Sequence, residues 1–137
     1  MAINGGCLCK AVRYTIAADP EATRVCWCRD CQYFGAGGPT INVRFPKDVV
    51  TIGGDLRGYR STADSGNTMH RQFCPQCGTP MFTESSARPD IIFVRAGTLD
   101  DPNIAQPAMT IWAASAPRWA CIDPSLPQHP RQPPPRA

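Results

Sequence analysis

Short runs of β-branched and aromatic residues, separated by turn-forming residues, are the main pattern along this chain. No window keeps a helical period for a dozen residues. The 11 glycines and 15 prolines divide the chain into short segments. The pattern predicts strands over 11–16, 40–45, 49–52, 69–73, 91–96 and 109–113, and one helical turn over 29–34 that ends at Gly35. The sequence therefore predicts a mainly β fold of short antiparallel strands.

The length of 137 residues fits one small domain, and an apolar content of 42% is enough for a packed interior. Prolines at 127, 130 and 133–135 crowd the end of the chain. Proline removes backbone donors and favours extended structure. We expect a domain over 1–126 and an extended, solvated tail over 127–137.

The first residues lack the basic start and apolar run of a secretory signal. No stretch approaches the roughly 20 apolar residues that span a bilayer. A cytoplasmic location, away from membranes, is therefore the expectation.

Eight cysteines are the most informative feature of the composition. Disulfides would explain them in a secreted protein, whereas a reducing compartment favours metal binding or catalysis. The cysteines form three clusters and one outlier: Cys7 and Cys9; Cys26, Cys28 and Cys31; Cys74 and Cys77; and Cys121. Without a secretory signal, metal is the better interpretation.

Cys74 and Cys77 form a Cys-x-x-Cys pair followed by Gly78, a tight turn that directs two thiolates at one metal ion. A thioredoxin-type redox pair is the alternative, but it begins a helix, and Pro80 interrupts any helix here. Zinc is therefore favoured at this turn.

Cys7 and Cys9 are two residues apart, so both point to the same side of an extended segment. Together with Cys74 and Cys77 they make a four-thiolate structural zinc site that ties the N-terminus to the middle of the chain.

Cys26, Cys28 and Cys31 then remain as three ligands with one vacant position, the arrangement of a catalytic zinc. Spacing alone leaves two alternatives open: the triplet shares Cys74 and Cys77, or it lines a pocket without metal. Cys121 is expected to be a buried small apolar residue.

The formal charge of +3 does not indicate a nucleic-acid partner or an anionic membrane. Seven thiolates holding two zinc ions would bring it to zero, because ligand thiols lose their protons. The basic residues are also scattered rather than clustered.

Several segments together resemble the glutathione-dependent formaldehyde-activating enzyme family, which includes centromere-protein-V-like proteins. These segments are 6–14, 26–31, 71–78, 96–102 and 119–127, and the order and spacing of seven cysteines is the most specific part. The resemblance implies a β-rich zinc fold similar to that of methionine-R-sulfoxide reductases and a zinc guanine-nucleotide-exchange chaperone.

The resemblance also implies roles for the cysteines. The positions of Cys7, Cys9, Cys74 and Cys77 would hold a structural zinc, and those of Cys26, Cys28 and Cys31 a second, labile and catalytic zinc. The implied activity is that of a carbon–sulfur lyase joining glutathione or another small thiol to formaldehyde or a related aldehyde, or reversing that reaction.

This chain departs from the family pattern at Trp27, where many members carry histidine. A non-catalytic zinc-stabilised binding module is the alternative function, and an electron-transfer protein with iron held by four thiolates is a further alternative. Arg29 is a candidate contact for a substrate carboxylate or for thiolate charge, and an exposed, salt-bridging arginine is the equal alternative. His70 is expected to be a surface or hydrogen-bonded residue, and the three tryptophans are expected to pack in the core.

Overall fold

The computed structural model of the chain describes residues 2–134. The strands in this range are β1 (Ile3–Gly6), β2 (Arg13–Ile16), β3 (Ala22–Cys26), β4 (Thr40–Pro46), β5 (Val50–Gly53), β6 (Arg57–Thr62), β7 (Thr68–Phe73), β8 (Pro80–Ser85), β9 (Arg88–Arg95) and β10 (Met109–Ile111). One short helix, α1 (Arg29–Phe34), follows β3, and 3-10 turns occupy Lys47–Val49, Ala96–Thr98, Pro102–Ile104 and Ala113–Ser115.

The described strands form two sheets. The smaller one has the order β1-β2-β5, and the larger one has the order β10-β3-β4-β9-β8-β7-β6. Every pair of named strands is antiparallel except β10 with β3, which is parallel. The prediction of a mainly β fold of short antiparallel strands is confirmed.

The core lies between the two sheets, because strand side chains alternate between faces. Val43 and Phe45 of β4 are fully buried on the face that meets the smaller sheet. Tyr14 of that sheet packs edge-on against Phe82 of β8, with ring centroids 5.3 Å apart. The other face of the large sheet carries the alternate residues, Asn42 among them, and it is this face that borders a cavity.

The six predicted strands and the helical turn are all present; the helical turn has the predicted bounds, and the bounds of the strands differ by up to three residues. Four strands were not predicted: β1, β3, β6 and β8. A helix that could cross a bilayer does not occur in the described part of the chain.

The described part of the proline-rich segment, 127–134, is mostly exposed but is hydrogen-bonded to the rest of the chain. The Thr110 N–H donates to the Pro127 carbonyl over 2.9 Å, and the His129 N–H donates back to the Thr110 carbonyl over 2.8 Å. The Trp112 indole N–H donates to Gln132 Oε1 over 3.1 Å. Residues 127–134 thus dock along the free edge of β10 while most of them stay exposed to solvent. Residues 135–137 lie outside the described range, and the domain boundary at 126 stays a prediction.

Candidate metal centres and active-site cavity

Four cysteine sulfurs from two distant parts of the chain converge on one point. The Sγ atoms of Cys7 and Cys9 are 3.6 Å apart, and those of Cys9 and Cys74 are 3.8 Å apart. With Cys77, all four Sγ atoms lie within 4.8 Å of one another. A tetrahedron with metal–sulfur distances of about 2.3 Å has edges of about 3.8 Å. The geometry and the four-thiolate donor set therefore fit zinc.

None of the eight cysteines forms a disulfide. The sulfur separations of 3.6 and 3.8 Å in the four-cysteine group are far above the S–S bond length of about 2.05 Å. The disulfide alternative is thus not supported, and the metal interpretation keeps all its ligands.

The first two cysteines sit on a tight loop after β1. The Cys7 N–H donates to the Val12 carbonyl over 3.0 Å, and the Val12 N–H donates to the Cys7 sulfur over 3.3 Å. Lys10 adopts a left-handed φ of 67°, which turns the chain back after Cys9. The loop thereby holds both sulfurs on its inner side.

The second two cysteines sit on a matching loop between β7 and β8. The Gly78 N–H donates to the Cys74 carbonyl over 2.9 Å, and Gly78 has a φ of 78°, which glycine adopts without strain. The Thr79 hydroxyl lies 3.1 Å from the Cys77 sulfur, and this hydrogen bond is the main cause that lowers the pKa of Cys77 to about 5. The Leu8 N–H donates to the same hydroxyl over 3.2 Å, which ties the two loops together.

The remaining triplet is built from one strand end and one helix start. Cys26 is the last residue of β3, Cys28 is the N-cap of α1, and Cys31 lies in its first turn. The Cys28 sulfur accepts the Cys31 N–H over 3.3 Å, so the capping bond also fixes the ligand position. The three Sγ atoms lie within 4.8 Å of one another, which fits three ligands of one metal ion.

The triplet shares its protons unequally. Hydrogen bonds from Cys26 and then Cys28 lower the pKa of Cys31 to about 2. Hydrogen bonding to Cys28 and Cys31, together with burial, raises the pKa of Cys26. At Cys28, the Cys26 hydrogen bond lowers the pKa, but the Cys31 hydrogen bond and burial outweigh it and raise the pKa to about 11. These shifts favour ionisation of Cys31 before its two neighbours, and binding of a cation would displace the remaining thiol protons.

The triplet faces a cavity of about 350 Å³ on the outer face of the large sheet. Five arginines line this cavity, Arg24, Arg44, Arg71, Arg88 and Arg95, and the acidic side chain of Asp64 also lies on its wall. Trp112 and the segment 132–134 close another side. The cavity is therefore strongly basic next to a group of thiols.

Arg95 and Gln32 are functional-site residues that the sequence analysis missed. The Arg95 guanidinium is buried, interacts electrostatically with Cys31 and donates to Asn42 Oδ1 over 2.6 Å. Gln32 is buried on α1 and donates to the Trp27 and Ser115 carbonyls over 2.9 and 3.0 Å. Neither residue belongs to a recognisable motif. The register of β9 places Arg95 beside the cysteines, and the position of α1 places Gln32 there.

The expectation for Cys121 is wrong, and the structure decides between the two alternatives for Arg29. Cys121 is exposed rather than buried, because it lies in an irregular segment outside both core clusters. Arg29 is also exposed, and it contacts Gln32 and the ring of Tyr33 rather than the thiols or the cavity.

The tryptophans divide between core and cavity. Trp27 is 4% exposed and packs edge-on against Trp119, with centroids 6.4 Å apart, whereas Trp119 is itself 70% exposed. Trp112 lines the cavity. Core packing is thus confirmed for Trp27 but wrong for Trp119. Trp27 is not among the residues that line the cavity, so the side chain between Cys26 and Cys28 lies away from the cavity.

His70 is partly buried beside a carboxylate and is neither a surface residue nor within hydrogen-bond distance of that carboxylate. Its Nδ1 lies 3.8 Å from a Glu84 carboxylate oxygen on the neighbouring strand, and it stands apart from both cysteine groups. It has no part in either site.

Fold and cysteine geometry together define a mainly β protein with two groups of cysteine thiols that could each hold a metal ion. Residues 2–115 match the family model of the glutathione-dependent formaldehyde-activating enzyme, so the chain belongs to that family. A crystal structure of a Rhodobacter sphaeroides protein is similar, with 19% sequence identity and a TM-score of 0.58, covering 76% of this chain and 96% of that one. This likeness shows the fold. No curated protein matches the chain.

Proposed function

We propose that this protein is a zinc-dependent enzyme of the carbon–sulfur lyase type. It joins glutathione, or a related small thiol, to formaldehyde or a related aldehyde, and catalyses the reverse reaction. The observation that carries the proposal is the cysteine triplet opening on a basic cavity in a chain of the formaldehyde-activating family.

The reaction is an addition without oxidation or reduction. The thiol loses its proton, the sulfur forms a bond to the carbonyl carbon, and the carbonyl π bond breaks. The proton ends on the former carbonyl oxygen, which gives an S-hydroxymethyl adduct when the aldehyde is formaldehyde. The reverse reaction breaks the carbon–sulfur bond and returns the proton to sulfur.

Deprotonation of the thiol is the step that needs help, because a free thiol of pKa about 8.5 is mostly protonated at neutral pH. Zinc held by Cys26, Cys28 and Cys31 would supply a site where a substrate thiol is stabilised as thiolate. The four-cysteine group would hold a second zinc that stabilises the fold.

The protein's own residues supply positioning and charge balance. Arg95, buried beside Cys31, offsets the negative charge of the thiolates. Gln32 ties α1 to the Trp27 carbonyl, within the triplet, and to the Ser115 carbonyl, and these bonds support the positions of Cys28 and Cys31. Reduced cysteines are needed throughout, which agrees with a cytoplasmic location.

The test is the rate of exchange between free and adduct glutathione, measured by NMR with formaldehyde and with larger aldehydes. We expect the purified protein to accelerate exchange. Cys28→Ser should abolish the acceleration, and Cys121→Ala, which changes an exposed cysteine outside both groups, should retain it. No acceleration with any aldehyde would favour the non-catalytic binding module.

A further inference from the structure

Three buried polar side chains form a patch on the floor of the cavity. Arg71 of β7 pairs with Thr83 of β8, and Thr83 pairs with Phe93 of β9. Arg95 is two residues beyond Phe93, so it points to the same face of the sheet. Arg71 and Thr83 are each 5% exposed and Arg95 is 8% exposed, and all three line the cavity.

Each member of this patch has a buried polar atom without a hydrogen-bond partner. These atoms are Nε of Arg71, Oγ1 of Thr83 and Nε of Arg95. The hydrogen bonds of the two guanidinium groups use other atoms than Nε. Arg71 Nη1 donates to Ser61, and Arg95 Nη1 donates to Asn42. Buried donors are rarely left unsatisfied, so three of them side by side indicate an acceptor that enters the cavity.

The chemistry of the acceptor follows from the donors. Two N–H groups and one O–H group surrounded by positive charge match an anionic oxygen acceptor, and arginine binds carboxylates through several hydrogen bonds. Existing carboxylates only partly meet this charge. Asp30 lies 3.7 Å from Arg71, while no carboxylate among residues 2–134 lies within ion-pair distance of Arg95.

We propose that Arg71, Thr83 and Arg95 form a subsite that binds a carboxylate of the thiol-bearing substrate. Because Arg95 also interacts with Cys31, a carboxylate held here lies near the triplet, and one molecule bearing both groups spans the two. This inference rests on the proposed function for the identity of the substrate. Of the two proposed substrates, glutathione carries carboxylates and formaldehyde does not, so the subsite would bind glutathione.

Calorimetric titration of the purified protein with S-methylglutathione tests the subsite apart from catalysis. This thioether keeps both carboxylates but has no thiol that can react, so its binding does not depend on whether the protein is an enzyme. We expect it to bind, and we expect its diethyl ester, which lacks the negative charges, to bind about ten-fold more weakly or worse.

Arg95→Gln and Arg71→Gln should each weaken binding of S-methylglutathione by about ten-fold or more. Arg60→Gln is the matched control, since Arg60 is exposed and points to the opposite face of the same sheet. Its binding should equal that of the unmodified protein.

Thr83→Val keeps the test decisive if the arginine variants fail to fold. Valine has the shape of threonine, and the hydroxyl it replaces has no partner in the protein, so the melting temperature should stay the same or rise. Binding should fall by about three-fold or more. The proposal is overturned if S-methylglutathione does not bind, if its ester binds equally well, or if Thr83→Val binds as the unmodified protein does.

Discussion

The two cysteine groups differ in the length of chain they connect and in what lies beside them. Cys9 and Cys74 are 65 residues apart in sequence, yet their sulfurs are 3.8 Å apart. The triplet is contained within 26–31. Four sulfurs can close a tetrahedron by themselves, whereas three leave one side open, and that side faces the cavity.

This difference separates stability from chemistry. Holding two distant loops together removes much conformational freedom from the unfolded chain, and metal binding at such a site contributes directly to folding. A local triplet closes only a short loop, so a metal ion there contributes less to the fold and remains accessible to substrate. The predictions below test this division, from the largest expected effect to the smallest.

Cys74→Ala should abolish the native fold. Cys74 is fully buried in the core and belongs to the four-cysteine group. Structural zinc contributes about 10–16 kcal/mol in small zinc domains, which matches or exceeds a total stability of about 5–15 kcal/mol. Circular dichroism melts and zinc content measure the loss, with Cys121→Ala as the control that should remain native. A cooperative melt of Cys74→Ala at the unmodified temperature would contradict the structural role.

Cys28→Ala should leave the chain folded. It should lose the labile zinc of the triplet and keep the zinc of the four-cysteine group. It also removes the N-cap of α1, which costs about 1 kcal/mol, whereas Cys28→Ser keeps a capping oxygen. Both variants should lose the same metal and all activity, and only the alanine variant should melt at a lower temperature. An unfolded Cys28→Ala beside a folded Cys74→Ala would reverse the assignment of the two groups.

Removal of residues 127–137 should open the cavity at Trp112. The segment hydrogen-bonds to both the backbone and the indole of this residue, and its loss should cost about 1–3 kcal/mol. Tryptophan emission should move to longer wavelength, measured in a Trp119→Phe background because Trp119 is already exposed. Unchanged emission and an unchanged melting temperature would show that the segment does not pack as described.

Asp100→Asn should produce the smallest effect, and one that depends on pH. The Arg13 hydrogen bonds to Asp100 lower the pKa of this carboxyl in the folded protein. The ion pair therefore stabilises the fold above the unfolded pKa of about 3.9 and is lost as pH falls below it. The melting temperature of Asp100→Asn should be lower than that of the unmodified protein near neutrality, and the difference should vanish in acid. A difference that persists in acid would exclude the carboxylate as its cause.

The strands that the sequence predicts are those with a clear apolar pattern, such as β4 and β9. Three of the four missed strands depart from this pattern, each for its own reason. Gly5 and Gly6 occupy half of β1, and β6 is mostly exposed. β8 begins at Pro80, and a proline, although compatible with the first residue of a strand, is a weak strand signal. These strands form through partners distant in sequence, which a local pattern does not contain.

The cysteines of the candidate site stand out in the sequence, but spacing alone leaves their grouping open, and the family resemblance implies which cysteines share a site. The structure brings together the same two groups that the sequence predicts. The arginines could not be predicted in the same way. Arg71 and Arg95 look like ordinary charged residues on their strands, and only the pairing of β7, β8 and β9 places them on one buried face.

Anomalous diffraction at the zinc absorption edge tests the central claim most directly, because it locates the metal without relying on activity. We predict a strong peak between the sulfurs of Cys7, Cys9, Cys74 and Cys77, and a weaker one bounded by Cys26, Cys28 and Cys31. The weaker peak should disappear in Cys28→Ser while the strong peak remains. Absence of the strong peak, or an S–S bond among those four cysteines, would contradict the account.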